Sequence, residues 1–84
     1  MNVNQNINIP FLNRISTQEV LFFTKHLSTM MKAGIPITEA LETLAEQTKS
    51  QNFKDVINAC LDDVKNGKSL AVALNKHQKV FDGF

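Results

Sequence analysis

One pattern occurs twice in the chain. Gly34-Ile35-Pro36-Ile37-Thr38-Glu39-Ala40-Leu41 and Gly67-Lys68-Ser69-Leu70-Ala71-Val72-Ala73-Leu74 share Gly, any residue, Pro or Ser, Ile or Leu, two variable residues, Ala, Leu, at an offset of 33 residues. Each copy prescribes the same local event. Glycine enters the left-handed backbone region at little cost and so stops a helix. A residue suited to a helix start follows, and Ala-Leu lets the new helix pack back closely. Two such joints require a chain of helical hairpins, with a spacing close to that of helical repeat units. The aromatic and Gly-Tyr signature of the tetratricopeptide class is missing.

Hydrophobic spacing between the joints agrees. Ser16-Thr17-Gln18-Glu19 reads as a capping box, with Ile15 and Val20 placed for a hydrophobic staple. A first helix then carries Val20, Phe23, Leu27, Met30 and Met31 at spacings of three and four. Leu21 and Phe22 are expected to widen that apolar face and make this the central helix. Pro36 suits the first position of a second helix, whose stripe is Ile37, Ala40, Leu41, Leu44 and Ala45, with Glu39, Glu42 and Glu46 outward. Ser50 is expected to cap a third helix carrying Phe53, Val56, Ile57, Cys60, Leu61 and Val64. Ser69 is expected to cap a short fourth carrying Leu70, Ala73 and Leu74, which fades near His77. The reading is therefore all-α, an antiparallel bundle of about four helices spanning 15–84. Residues 1–14, rich in asparagine and with Ile7, Ile9 and Phe11 alternating, read as a flexible arm. Phe81 and Phe84 look exposed, as though the chain had been cut from a longer one.

Composition removes several classes. A formal net charge of +1 is too small for a footprint on nucleic acid. No apolar run approaches the roughly 20 residues that cross a bilayer, and residues 1–10 lack the basic and apolar parts of a signal peptide. As it stands the chain is expected to be soluble and cytoplasmic. A single cysteine forbids an internal disulfide, and no Cys/His spacing suits zinc.

No catalytic constellation emerges. Cys60 lies on an apolar face, where free cysteine acts as a small hydrophobe. His26 has no second ligand or base beside it, and His77 sits where a cation suits a helix C-terminus. Asp62 and Asp63 are adjacent on a helix, about 100° apart, and do not converge on a metal or a proton. Ser16 and Ser69 are caps, and the three glycines stand too far apart to cradle phosphate. The reading is no enzyme, no cofactor and no metal. Charge is the property distributed unevenly. Between residues 37 and 63 stand Glu39, Glu42, Glu46, Asp55, Asp62 and Asp63 against Lys49 and Lys54; afterwards come Lys65, Lys68, Lys76 and Lys79 against Asp82. An acidic middle suits docking by electrostatic complementarity.

The stretch Phe23-Thr24-Lys25-His26-Leu27-Ser28-Thr29-Met30-Met31-Lys32-Ala33-Gly34-Ile35-Pro36-Ile37-Thr38-Glu39-Ala40-Leu41 resembles the opening motif of the type II secretion system F domain. That is the family of the PilC and GspF inner-membrane platform proteins. Val64-Lys65-Asn66-Gly67-Lys68-Ser69-Leu70-Ala71-Val72-Ala73-Leu74 resembles the family's second signature, and Val80-Phe81 its following aromatic. Lys25-His26 replaces the usual Arg-Gln, Ala71 a common Ser and Asp82 a common Pro. The resemblance covers about residues 15–84.

What the resemblance implies is a non-catalytic scaffold of a type IV pilus or type II secretion machine. The domain would be a truncated form of a six-helix bundle, its last helices and all membrane segments missing. In the full-length protein it would lie on the cytoplasmic side of the bacterial inner membrane, which it meets only through those downstream segments. Its partners would be the assembly ATPase and other machine proteins, with the open apolar edge available to a second copy as a homodimer. Lys25, Glu42, Glu46, Asp62 and Asp63 are the partner-binding candidates. Two other readings compete: a free-standing helical-repeat adaptor, and a helix-turn-helix DNA binder. The DNA reading needs a basic recognition helix, and the helix after Gly34 carries Glu39, Glu42 and Glu46 instead.

Overall fold

In a computed structural model the chain is described from Ile15 to Phe81. The arm assigned to residues 1–14 and the terminal aromatic Phe84 lie outside the described residues. Among the described residues five helices follow in order: α1 (Thr17–Lys32), α2 (Ile37–Gln47), α3 (Gln51–Lys65), α4 (Leu70–Asn75) and α5 (Gln78–Phe81). The architecture is the all-α helical bundle that the periodicity requires.

Local chemistry accounts for the boundaries. At the start of α1 the Glu19 amide donates to Ser16 Oγ at 3.1 Å, while the Ser16 amide donates to the Glu19 carboxylate at 3.2 Å. That reciprocal pair satisfies two amides a helix start otherwise leaves open. Ser50 Oγ accepts from the Phe53 amide at 3.3 Å, and Ser69 Oγ from the Val72 amide at 3.1 Å. Pro36 is an exception to expectation. It stands at the N-cap of α2 rather than inside it, with its carbonyl accepting from the Ala40 amide at 2.9 Å and no side-chain cap. It thus occupies the place that Ser69 holds in the second copy.

Both joints close in the same way. Gly34 and Gly67 have φ of 87° and 95°. The Gly34 amide donates to the Met31 carbonyl and the Ile35 amide to the Met30 carbonyl, each at 3.0 Å; Gly67 to Val64 and Lys68 to Asp63 repeat the pair at 3.0 Å. These are two Schellman motifs, in which a left-handed residue lets the last carbonyls of the helix find donors.

The core is formed by Val20, Phe23 and Leu27 of α1, Ala40, Leu41, Leu44 and Ala45 of α2, and Phe53, Ile57 and Leu61 of α3. Burying a side chain such as Leu41, Phe53 or Ile57 contributes about 1.5–3 kcal/mol. The most intimate packing is between α2 and α3, with α1 flanking α2 and α4 flanking α3. Ala40 and Ala45 allow that closeness, and Ala73 does the same for α4. The central helices are therefore α2 and α3, not α1. The cause lies in α1 itself: the Val20–Phe23–Leu27–Met30 line meets the core, while Leu21 (52% exposed), Phe22 (51%) and Met31 (45%) face outward.

The end of the chain also differs from expectation. The fourth helix ends at Asn75, near His77 as expected, but the chain goes on. It re-enters a helix, α5, whose Phe81 ring lies 5.9 Å from that of Phe23 and 6.1 Å from that of Phe53. Phe23 and Phe53 meet edge-on at 5.4 Å. Phe81 is half-buried, with Val80 also packed on the core.

Candidate docking surface

The acidic side chains are distributed by helical spacing. Glu42 and Glu46 stand one turn apart on α2; Lys54, Asn58 and Asp62 occupy successive turns of α3. The close packing of α2 on α3 brings the two rows side by side. Glu42, Ala45 and Glu46 line one wall of an open groove of about 270 Å³, and Lys54, Asn58 and Leu61 the other. Glu42, Glu46 and Asp62 are exposed. Among the described residues, no side chain forms an ion pair with Glu42 or Glu46.

Asp63 is placed differently. Its carboxylate lies 3.1 Å from Lys76 Nζ and 3.8 Å from Lys68 Nζ, and its side chain is 17% exposed against 46% and 47% for the lysines. It is engaged within the molecule, holding α4 and the joint before it to α3. One turn earlier Cys60 Sγ faces the Ala73 carbonyl at 3.8 Å. Burial, with Asp63 adding to it, pushes the Cys60 thiol up to about 11, so this cysteine is a packed thiol rather than a thiolate nucleophile.

Lys25 is exposed on α1 and is not gathered with the acidic row. Beside it the His26 ring lies tilted at 45° against that of Phe22 with centroids 4.0 Å apart, and its Nδ1 donates to the Phe22 carbonyl at 2.9 Å. The five candidates thus separate into a groove pair, Glu42 and Glu46, with Asp62 along the same α3 row; an internal tie, Asp63; and an isolated lysine. Lys54 and Asn58 were not singled out from sequence, although their spacing of four residues, continued to Asp62, is the signal that places them.

A second depression, about 290 Å³ and mostly apolar, lies where α1 begins, α2 ends and α3 begins. Its walls include Phe22, Phe23, Leu44 and Phe53, with Glu19 and Lys49 also lining it. Among the described residues no polar side chain is buried, no cluster of His, Cys, Asp and Glu is placed to hold a metal, and no helix is long and apolar enough to cross a membrane.

The sequence is similar to known proteins. The type IV pilus assembly protein PilC of Myxococcus xanthus is 38% identical over 76 residues, covering 90% of this chain and 18% of its own length. The PilC protein of Thermus thermophilus is 33% identical, covering 89% of the chain and 18% of its own length. The type II secretion system protein F of Aeromonas hydrophila is 35% identical, covering 86% and 19%. The chain therefore spans less than one fifth of these relatives. No solved structure matches. Residues 23–84, most of the chain, match the family described as type II secretion system (T2SS), protein F, and the chain belongs to that family.

Proposed function

We infer that this chain is a scaffolding domain of a type IV pilus or type II secretion assembly machine, and that it works by docking rather than by catalysis. The relatives carry the names of pilus assembly and secretion proteins, and the described residues offer an exposed acidic groove. In this reading the groove walled by Glu42 and Glu46 receives a basic element of a machine partner, the assembly ATPase first among them. The observation that carries it is that these two carboxylates stand exposed beside one groove with no ion pair among the described residues, whereas Asp63 is already engaged. Lys25 and Asp62 are secondary contacts. The domain sits on the cytoplasmic side of the inner membrane, joined to it by segments outside the 84 residues.

Such rim charges act through complementarity, association rate and salt dependence. The test is binding of the purified ATPase to the chain and to Glu42→Lys/Glu46→Lys. The double reversal is expected to weaken binding at least tenfold, about 1.4 kcal/mol, and to lower its salt dependence. Unchanged binding rejects the groove.

A further inference from the structure

We propose that the outward face of α1 is a seat for an anionic lipid bilayer, with Leu21 and Phe22 entering the headgroup layer and Lys25 and Lys32 meeting its phosphates. Leu21, Lys25, Ser28 and Lys32 follow one another at spacings of four, three and four, which aligns them in one stripe about 16 Å long. Phe22 and Met31 flank the stripe, about 100° to one side of Leu21 and about 80° to the other. All six side chains are exposed, the three apolar ones at close to half their surface.

Charge gives the sign of the surface that fits. Between residues 21 and 32 every exposed side chain is apolar, hydroxyl-bearing or basic, and none is a carboxylate. The one acid of α1, Glu19, is turned back onto the Ser16 amide. The neighbouring α2 is the reverse, with Glu39, Glu42 and Glu46 and no lysine or arginine between residues 37 and 47. The signs are thus sorted by helix, and α1 holds the positive set. Lysines drawn to anionic headgroups, beside apolar side chains that settle at the boundary with the acyl chains, are what an interfacial helix combines. A lysine stem lies along apolar surface while its ammonium stays with the phosphates.

The neutral polar groups select lipid over protein. Thr24 Oγ1 donates to the Val20 carbonyl at 2.8 Å and Thr29 Oγ1 to the Lys25 carbonyl at 3.0 Å, and His26 Nδ1 is turned onto the Phe22 carbonyl. These groups are satisfied inside the helix. A protein interface carries roughly one hydrogen bond per 100–200 Å², and this face has little directional chemistry left for it. An ammonium is a point charge that needs no fixed acceptor geometry, which suits a fluid layer of phosphates. The face is separate from the acidic groove: Lys25 is common to the docking reading and this one, Lys32 belongs to this one alone, and reversal of Glu42 and Glu46 leaves α1 untouched.

Co-sedimentation of the 84-residue chain with vesicles tests the proposal. Binding is expected to equimolar phosphatidylglycerol and phosphatidylcholine, to fall as salt rises, and to be absent with phosphatidylcholine alone. Lys25→Glu/Lys32→Glu is expected to weaken it at least tenfold, and Lys32→Glu alone about fivefold, because one lysine at an anionic surface contributes about a fivefold factor. Leu21→Ser/Phe22→Ser is expected to weaken it with the salt dependence kept. Circular dichroism verifies that the variants retain their helices. No binding to the mixed vesicles at low salt overturns the proposal. So does equal binding to phosphatidylcholine, or binding indifferent to the lysine or the apolar substitutions, since another surface then carries it. Capture by soluble polyglutamate in place of vesicles also overturns it and assigns the face to an acidic protein.

Discussion

Lys68 meets Asp63 twice: its backbone amide donates to the Asp63 carbonyl at 3.0 Å, and its ammonium lies 3.8 Å from the Asp63 carboxylate. The equivalent pair at the first joint is Ile35 and Met30, both apolar and both packed on the core. A Schellman turn commonly adds an apolar contact between these two positions; at the second joint an ion pair stands in its place. Lys76 approaches the same carboxylate from the end of α4, so one aspartate restrains both ends of that short helix. Asp63→Ala is expected to cost about 1 kcal/mol at low salt and less at high salt, because the lysines are half exposed and screened. Urea denaturation at two ionic strengths checks this, with Asp62→Ala, at an exposed neighbour, expected to change little.

Gly34 and Gly67 hold left-handed backbone angles, yet a Cβ at either would meet nothing within 4 Å. The cost of Gly34→Ala or Gly67→Ala is therefore conformational rather than steric, about 1–2 kcal/mol each. Asparagine, which tolerates that region better, is expected to cost less at both positions. Thermal denaturation of the four variants gives the comparison; equal losses for Ala and Asn would contradict the assignment.

Cys60 yields a pH signature. Its thiol is raised from 9.0 to about 11 by burial, with Asp63 adding to it. The unfolded chain therefore loses this proton before the folded one does. Stability from the neutral thiol is complete below pH about 9, declines as pH rises towards about 11, and is then gone, a change of roughly 2–3 kcal/mol. Lysine titration overlaps this window, so the informative quantity is the difference between the chain and Cys60→Ala. The variant is expected to show the shallower decline.

Phe81 tests whether α5 belongs to the fold. Removing its ring from the cluster with Phe23 and Phe53 is expected to cost about 1–3 kcal/mol, less than a fully buried Phe because it is only half covered. Leu21→Ala, at 52% exposure, is expected to stay within about 0.5 kcal/mol. Chemical denaturation followed by circular dichroism distinguishes them.

What could be read in advance was what depends on neighbours along the chain. The Ser16–Glu19 box, the Ser50 and Ser69 caps and both glycine joints are set by residues three to five positions apart, so their chemistry is visible locally. The stripes of α2 and α3 were legible for the same reason, and the outward placement of Glu42 and Glu46 followed from them. Features joining distant residues were not legible. Asp63 finds Lys76 thirteen residues away only because α4 returns at a particular angle. Phe81 meets Phe23 and Phe53 across three helices. Leu21 and Phe22 looked buried because periodicity gives the apolar side of a helix, not how many neighbours reach it. That Lys25 lies apart from the acidic groove depends likewise on how α1 flanks α2.

The rings of Phe23, Phe53 and Phe81 have a mechanical consequence. Tension that reaches residue 81 through the backbone would act on a ring packed against both Phe23 and Phe53. It would act at once on a wedge seated between the first and third helices. A pull at that residue therefore loads two helices of the bundle together.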